Sequence, residues 1–396
     1  MKLKDATKLD KKYIFPTYRR TPLLITRGEG NYLFDENGRK YLDLVSGLAV
    51  NALGHCDPRI IKAISKQAST LMHVSNLYYT EPMLHLAEKL VKLSGMEKVF
   101  FANSGAEANE AAIKLVRKFS RQKFGADHYE IICFRNGFHG RTLITLTATG
   151  QQVYKKGFSP LMKGFRHAQF NDLASVEKLI TKKTCAIMVE PVQGEAGIYV
   201  AKKDFIKGLD ALRRERGLLL IFDEVQCGLG RTGKWFAFQH YGVKPDVLTL
   251  AKSIGGGLPL GTMLARGAVA DAFTPGSHAT TFGANPVVCA AALEFITVME
   301  QKRLVQKANE LGRYVEQKLE HLKKQSGEIK EIRGLGLMIA VEIRKSAKDA
   351  AVFFREKGVL VNPIREHTIR ILPPLTVTKA ELDCFVLLLH AFLNEE

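Results

Sequence analysis

The sequence contains no run of about 18 uninterrupted apolar residues, so no transmembrane helix and no membrane partner are expected. Its start, MKLKDATKLDKKYIF, carries positive charges but neither an apolar stretch nor a small-residue cleavage site, so we expect no secretory signal. No repeat and no low-complexity segment is present, which argues against repeat architectures and disorder. These absences predict an ordinary globular protein.

Cysteine is sparse and unpatterned. The six cysteines are Cys56, Cys133, Cys185, Cys227, Cys289 and Cys384. No two of them form a CxxC pair, and their spacing suggests neither a disulfide framework nor a zinc site. We therefore expect reduced thiols, no bound metal and a cytoplasmic location.

Acidic residues are outnumbered, with 58 Lys and Arg against 40 Asp and Glu, for a net charge of +18. Such a surplus can indicate a polyanion partner, but the basic residues are scattered and no nucleic-acid-binding motif is present. We expect no nucleic-acid partner, and a positive field that attracts small anionic substrates.

Short apolar runs alternate with amphipathic helical patterns between about residues 97 and 266. The runs lie at 98–103, 130–134, 185–190, 218–224, 246–251 and 261–265. Continuous apolar strands separated by helices predict an α/β fold, with a mainly parallel sheet covered by helices on both faces.

Three regions are predicted from the remaining patterns. Residues 1–45 contain short strands and a turn at Asp35-Glu36-Asn37-Gly38, and we expect them to join a smaller domain. Residues 46–290 form the large domain. Residues 291–396 combine long helices with strands, so they predict a smaller α+β domain.

Chemically distinctive residues follow several of the predicted strands. Ser104-Gly105-Ala106 comes after the first run, Glu190 after the third, Asp223 near the end of the fourth and Lys252 after the fifth. Because ligands of such sheets bind at the carboxyl ends of the strands, these residues are expected to share one site.

Two of these features have alternative interpretations. Ser104-Gly105-Ala106 at a helix start favours an anion site, whereas Ser104 with Glu107 also fits a capping box, and the two interpretations are compatible. Gly228-Leu-Gly230-Arg-Thr-Gly233 fits the nucleotide pattern GxGxxG, but several residues separate it from its strand, and Trp235 replaces the hydroxyl residue of a Walker loop.

Lys252 and Asp223 are the sharpest candidates. A lysine at the end of a buried strand has a lowered pKa, and a neutral amine is what Schiff-base chemistry requires. A phosphate site, a buried carboxylate and such a lysine are the supports that pyridoxal 5′-phosphate needs.

The chain resembles the class III pyridoxal-phosphate aminotransferases, and within them the members that act on N-acetylornithine. The motifs that carry the resemblance are NSGAEANEAAIK (103–114), FHGRTL (138–143), VEPVQGEAG (189–197), IFDEVQCGLGRTGK (221–234), LAKSIGGGLPLG (250–261), TTFGANP (280–286) and IRILPPL (369–375).

The resemblance implies roles for individual residues. Those implied to contact the cofactor are Ser104, Gly105 and Ala106 at the phosphate, Phe138 on the ring, Glu190 near it, Asp223 at the pyridine nitrogen, Gln226 near the ring hydroxyl, and Lys252, which binds the cofactor covalently and transfers the proton. Arg141 and Arg370 are implied to bind substrate carboxylates, and Glu195 to pair with Arg370. Thr281 is implied to reach the phosphate of a neighbouring subunit, which makes a homodimer necessary.

The implied reaction is amino transfer between N-acetylornithine and 2-oxoglutarate, giving N-acetylglutamate 5-semialdehyde and glutamate. The segment 47–51 lacks the tyrosine found in ornithine-specific members, and Ala284 replaces the usual glycine. Open alternatives are other ω-amines (succinyldiaminopimelate, ornithine, 4-aminobutyrate, or a carrier-protein-bound lysine precursor), a nucleotide-dependent oxidoreductase using GLGRTG, and a non-catalytic basic binding protein.

Overall fold

The computed structural model describes residues 1–395. The strands are β1 Ile25–Glu29, β2 Tyr32–Asp35, β3 Lys40–Asp43, β4 Lys98–Ala102, β5 Glu130–Phe134, β6 Phe165–Ala168, β7 Thr184–Val189, β8 Val192–Gln193, β9 Tyr199–Val200, β10 Leu219–Asp223, β11 Val247–Leu250, β12 Gly261–Ala265, β13 Ile329–Leu335, β14 Met338–Ile343, β15 Val359–Leu360, β16 Asn362–Ile364 and β17 Thr368–Ile371.

The helices are α1 Leu3–Tyr13, α2 Ser46–Ala49, α3 Pro58–Ala68, α4 Glu81–Ser94, α5 Gly105–Phe124, α6 Leu143–Ala148, α7 Leu173–Glu177, α8 Gly194–Gly197, α9 Lys203–Arg216, α10 Pro286–Gln301, α11 Leu304–Gln325, α12 Ala347–Glu356 and α13 Lys379–Asn394. Short 3₁₀ turns lie at Ser75–Leu77, Gln152–Tyr154, Ala237–His240, Lys252–Gly255 and Gly267–Asp271. Within residues 1–395, no helix is long and apolar enough to cross a membrane.

A seven-stranded sheet with the order β4-β12-β11-β10-β7-β5-β6 forms the centre of the molecule. The pairs β11–β10, β10–β7, β7–β5 and β5–β6 are parallel. Strand β12 runs antiparallel to both of its neighbours, because it follows β11 through a connection too short for a parallel crossover. The prediction of a mainly parallel sheet is confirmed.

Alternate residues of the central strands pack against different layers. Ile132, Ile187 and Leu220 share one apolar cluster with α9, whereas Ile131 and Ile221 share another with α5. This period of two places one helix layer on each face, so both faces are buried. Strands β5 and β7 are buried along their whole length, as the apolar runs that follow Glu130 and Thr184 predict.

Two four-stranded sheets lie outside this centre, and β8 and β9 form a two-stranded one. Strands β13, β14, β17 and β16 form an antiparallel sheet packed by α11 and α12, and β15 pairs with β3 of the N-terminal strands. The N-terminal strands are thus joined to the C-terminal part of the chain. This pairing is consistent with a boundary near residue 45. Helix α10 extends across residue 290 and packs mainly on α3 and α4, so the boundary at 290 stays a proposal.

Candidate active site

A cavity of about 480 Å³ lies where the carboxyl ends of β7, β10 and β11 face the start of α5. Of the residues singled out in the sequence, those lining it are Ser104, Gly105, Ala106, Phe138, Arg141, Glu190, Glu195, Asp223, Gln226 and Lys252. Segments that are far apart in the chain therefore come together at the edge of the sheet where ligand binding was expected.

Asp223 ends β10 and is 3% exposed. Its Oδ2 accepts hydrogen bonds from Asn109 Nδ2 at 2.7 Å and pairs with His139 Nδ1 at 2.8 Å, and its Oδ1 accepts one from the Val225 amide at 3.0 Å. Thr249 Oγ1 donates to Asn109 Oδ1 at 2.7 Å, so the Asn109 amide is fixed with its nitrogen toward Asp223. Buried donors thus hold this carboxylate in one orientation.

Sequence reasoning missed both Asn109 and His139. Asn109 lies one turn into α5, so its side chain returns toward the strand ends, and His139 stands between two residues already singled out in FHGRTL. Position within those motifs was the available signal. Neither residue looks chemically special until the fold places it against Asp223.

Lys252 opens a 3₁₀ turn directly after β11 and has a left-handed backbone with φ of 55°. Burial lowers the pKa of the Lys252 amine below its ordinary value, and the charges of Glu195 and Asp223 offset part of that shift. A lowered pKa increases the fraction of neutral amine, which is the nucleophilic and proton-accepting form.

The start of α5 combines both features predicted for it. Ser104 Oγ accepts from the Glu107 amide at 3.1 Å, and Glu107 Oε2 accepts from the Asn103 amide at 2.7 Å, so the cap is present. Gly105 and Ala106 come next, and the first amides of a helix have no acceptor within it. A side chain at Gly105 would meet Val225 Cγ1 at 2.7 Å, so glycine permits the close approach of these two segments.

Phe138 and Glu190 form one wall. Glu190 Oε1 accepts from the Phe138 amide at 2.8 Å, which ties the wall to the end of β7. Burial, together with the nearby charge of Asp223, raises the pKa of Glu190 well above its ordinary value. Tyr154, which sequence reasoning also missed, packs edge-on against Phe138 at 5.9 Å between ring centroids.

The two arginines differ in how they are engaged. Arg370 is 1% exposed, and its Nη1 lies 2.8 Å from Glu195 Oε1 and 3.0 Å from the Gly194 carbonyl. Its Nε and Nη2 both donate to Asn362 Oδ1, at 3.1 and 2.7 Å. Burial alone would raise the pKa of Glu195, but the charge and hydrogen bond of Arg370 bring it below its usual range.

Arg141, by contrast, is exposed, and its guanidinium lies 3.7 Å from the centroid of the Tyr154 ring. Within residues 1–395 no carboxylate lies within ion-pair distance of it. The cavity therefore offers one cation, Arg141, which is held by an aromatic face and is open to an anion. Arg370 does not line the cavity, and its charge is already neutralised by Glu195, which does.

The segment 46–49 at the edge of the site is strained. Ser46, Gly47, Leu48 and Ala49 all have positive φ, from 46° to 69°. The Asp43 carboxylate accepts the Ser46 amide at 2.9 Å and helps to hold this turn. Left-handed backbone at non-glycine residues is costly and is concentrated at functional sites. Val50, which follows, lines the cavity.

Thr281 lies outside the cavity of the single chain and is exposed. Its neighbour Thr280 accepts a hydrogen bond from Asn103 at 3.0 Å, so this loop borders the start of α5. Ala284 has φ of 61°, the left-handed conformation that favours glycine. That conformation suits the glycine expected at this position, and it makes the alanine of this chain less favourable.

The loop that contains Gly228, Gly230 and Gly233 follows Asp223 but turns away from the cavity. Its Arg231 backbone carbonyl accepts from the Leu337 amide at 3.0 Å, which places the loop against the turn between β13 and β14. The glycines shape a loop beside the site, as the non-nucleotide interpretation expects.

The family of aminotransferases described as class III matches residues 13–393. This chain belongs to the class III aminotransferases. It is 49% identical to the acetylornithine aminotransferase of Methanocaldococcus jannaschii over 96% of this chain and 95% of that protein, and 46% identical to that of Aquifex aeolicus over 96% and 100%. The interpretations as a nucleotide-dependent oxidoreductase and as a non-catalytic binding protein are therefore wrong.

Solved structures of aminotransferases agree with the fold. Toxoplasma gondii ornithine aminotransferase superposes with a TM-score of 0.95 at 32% identity over 99% of this chain and 94% of that one, and Elizabethkingia anophelis acetylornithine aminotransferase with 0.89 at 32% over 99% of each. A second Toxoplasma structure has pyridoxal phosphate in partial occupancy at its active site.

Pyridoxal 5′-phosphate is the cofactor of this class III aminotransferase, and the cavity fits it. A helix start with free amides suits a phosphate, the oriented Asp223 carboxylate suits a protonated pyridine nitrogen, and the Lys252 amine lies on the same cavity. Phe138 and Val225 supply apolar surface for a flat ring.

Proposed function

We propose that the protein transfers the δ-amino group of N-acetylornithine to 2-oxoglutarate in two half-reactions. The first releases N-acetylglutamate 5-semialdehyde, and the second gives glutamate. The observation that carries the proposal is one cavity lined by Lys252, an oriented Asp223 and exposed Arg141, with buried Arg370 paired to the lining residue Glu195. The chain is also 49% identical to an acetylornithine aminotransferase.

The residues around the cavity divide between cofactor and substrate. Those that would hold the cofactor are Ser104, Gly105 and Ala106 at its phosphate, Asp223 and Gln226 at its ring edge, Phe138 and Glu190 beside its ring, and Lys252 as its point of covalent attachment. When bound, pyridoxal phosphate supplies an electron sink that makes the carbon bearing the substrate amine acidic.

Lys252 would then act as the proton carrier. Its amine has a lowered pKa, so it can accept the proton of that carbon while neutral and return it on the next step. Asp223 stays in place through Asn109 and His139, so its negative charge faces the ring nitrogen rather than rotating away. Proton transfer and charge stabilisation are thus assigned to different residues.

Arg141 and Arg370 would bind different carboxylates of the two substrates. In N-acetylornithine the single carboxylate is far from the reacting amine, so exposed Arg141 would bind it while Glu195 keeps Arg370 neutralised. In glutamate a second carboxylate lies beside the reacting amine. We assign it to Arg370, which requires Glu195 to move aside. Glu195 would therefore allow one cavity to accept both substrates.

The proposal includes a homodimer with shared sites. Thr281 is exposed and lies outside the cavity of its own chain, so its side chain is available to contact the phosphate of a partner subunit. Asn76 donates to the Thr280 carbonyl at 3.1 Å and Asn285 to the Met72 carbonyl at 2.8 Å, so the segments 72–79 and 280–285 are adjacent. The large apolar residues exposed on these segments are Met72, Leu77, Tyr78, Tyr79 and Phe282. Such a patch is typical of an interface between subunits. Analytical ultracentrifugation tests it, since a monomer that is fully active would contradict shared sites. We also keep the cytoplasmic location as a proposal.

Half-reaction spectroscopy tests the substrate assignment. The purified protein, loaded with pyridoxal phosphate, is titrated separately with N-acetylornithine, ornithine and 4-aminobutyrate, and loss of the cofactor's visible band is followed. We expect N-acetylornithine to bleach the band at far lower concentration than the other amines. If only another amine bleaches it, the aminotransferase stands and the N-acetylornithine assignment fails.

A further inference from the structure

The loop from Glu224 to Phe238, here called the Arg231 loop, connects the part of the site around Asp223 with the part around Arg370. It begins beside Asp223, and the buried carboxyl group of Glu224 closes it by accepting hydrogen bonds from the amides of Ala237 at 2.6 Å and Phe238 at 2.7 Å. This closure makes the loop a compact unit with Arg231 near its tip.

Arg231 is 2% exposed and points into the neighbouring C-terminal sheet. Its Nη1 donates to the Leu337 carbonyl at 3.2 Å and also to the Pro373 carbonyl. Together with the Leu337 amide bonded to its own carbonyl, Arg231 makes three hydrogen bonds to the two segments it touches. Both segments belong to the C-terminal sheet, while the loop belongs to the central one.

Those two segments flank Arg370. Pro373 follows Arg370 by three residues, just past the end of β17, and Leu337 lies in the turn that leads into β14. Strand β14 pairs with β17, with Ala340 opposite Arg370. The Arg231 guanidinium therefore fastens the ends of both strands that determine where Arg370 stands.

A purely space-filling role does not explain a guanidinium here. Within residues 1–395 no carboxylate pairs with Arg231, and its Nη2 is buried without a hydrogen-bond partner. Burial lowers the pKa of Arg231 to about 9, which still leaves it charged at neutral pH. Burying an unpaired charge is costly, and an apolar side chain of similar length would fill the space without that cost.

The near end of the same loop also reaches Arg370. Gln226 Oε1 lies 3.5 Å from Arg370 Nη1, and Gln226 Nε2 donates to Glu195 at 3.2 Å. The loop thus contacts Arg370 through Gln226 and the strand that carries it through Arg231. One loop therefore connects Asp223, where the cofactor ring is expected, with Arg370, which is assigned to a substrate carboxylate.

We propose that Arg231 is a positioning residue, which fixes β17 and with it Arg370. Its role is to hold Arg370 at the distance from Asp223 and Lys252 that lets the guanidinium bind a carboxylate beside the reacting amine. The proposal rests on the assignment of Arg370 to that carboxylate. It predicts an effect confined to the substrate that needs Arg370, because N-acetylornithine binds without it.

The test compares Arg231→Met and Arg231→Lys with wild type in separate half-reactions, with glutamate and with N-acetylornithine. We expect Arg231→Met to raise the glutamate concentration for half-maximal rate about tenfold or more and the N-acetylornithine concentration much less, with limiting rates nearly retained. Arg231→Lys keeps one donor and the charge, and should recover part of the loss. Hydrogen–deuterium exchange of residues 368–373 should be faster in Arg231→Met.

Arg117→Met is the matched control. Arg117 is another arginine that donates to two backbone carbonyls, those of Tyr129 and Lys163, but it lies in the central domain away from the cavity. It should leave both half-reactions and the exchange of 368–373 unchanged. If Arg231→Met weakens both substrates equally, or leaves the exchange of β17 unchanged, the positioning role is refuted.

Arg370→Lys separates this inference from the proposed function. A selective loss of glutamate binding in Arg370→Lys with none in Arg231→Met overturns the Arg231 proposal alone. If Arg370→Lys itself leaves glutamate binding unchanged, the carboxylate assignment fails, and the Arg231 proposal fails with it.

Discussion

Replacing Asn109 by aspartate tests how Asp223 is held. The change is nearly isosteric, but it replaces an amide nitrogen that donates to Asp223 at 2.7 Å by a second buried carboxyl oxygen. At that separation and an effective dielectric constant of about 20, two negative charges repel by about 6 kcal/mol. The pair will therefore hold one proton at neutral pH rather than carry two charges.

A shared proton removes part of the charge that faces the pyridine nitrogen. We expect Asn109→Asp to weaken pyridoxal phosphate binding by about tenfold or more, equivalent to about 1.4 kcal/mol, and to lower kcat as well. The defect should lessen as pH rises, because the shared proton is then lost and Asp223 regains its charge. Titration of the apoprotein with the cofactor, followed by visible absorbance at several pH values, measures this.

Two controls make the result specific. Asn171→Asp introduces the same chemical change at a residue bonded to the Val200 carbonyl and the Lys202 amide, away from the cavity, and should leave cofactor binding unchanged. Thr249→Val removes only the donor that orients Asn109, and should have a smaller effect than Asn109→Asp. Wild-type cofactor affinity and kcat in Asn109→Asp would refute the role given to this network.

Three further predictions follow from other parts of the structure. Tyr154→Leu removes the ring beneath Arg141 and should raise the KM for both substrates about threefold to tenfold, whereas Tyr154→Phe should not. Steady-state kinetics of the two variants tests this, and equal effects of the two would contradict the stacking role. Burial raises the pKa of Glu224 to about 8 despite two amide donors, so the folded state keeps a proton that the unfolded state loses above its ordinary pKa. The free energy of unfolding should therefore fall as pH rises from about 4.5 to 8, by at most about 1.4 kcal/mol per pH unit from this group. Urea unfolding of Glu224→Gln should show a flatter pH dependence than wild type. The same pH dependence in both proteins would contradict this prediction. Ala284→Gly relieves a left-handed backbone and should stabilise the protein by up to about 1 kcal/mol, read as a higher Tm, whereas a lower Tm would show that the alanine methyl packs favourably.

The central sheet could be predicted because each of its strands other than β6 is marked by a short apolar run in the sequence. Strands buried on both faces are mainly apolar, and β5 and β7 show this as apolar runs after their first residues. Helix α1 was not predicted, and none of its residues is buried, so no apolar face of it is committed to the core of the chain. Strand β6, with the sequence Phe165-Arg-His-Ala168, lies at the sheet edge, where apolar pattern is weak.

The site was predictable only where position within an element determines it. Asp223 ends β10 and Lys252 comes just after the adjacent β11, so the topology of the sheet already brings them together. The ion pair between Glu195 and Arg370 joins residues 175 positions apart, and no local pattern encodes it. Asn109 and His139 likewise acquire their role only through contact with Asp223 across the fold.

Transfer of labelled nitrogen tests the central claim most directly. The protein is incubated with pyridoxal phosphate, 2-oxoglutarate and N-acetylornithine carrying ¹⁵N at the δ-amine, and the products are analysed by mass spectrometry. The account predicts one labelled glutamate for each N-acetylglutamate 5-semialdehyde formed, and loss of this transfer in Lys252→Ala. Unlabelled glutamate, or equal transfer by Lys252→Ala, would contradict it.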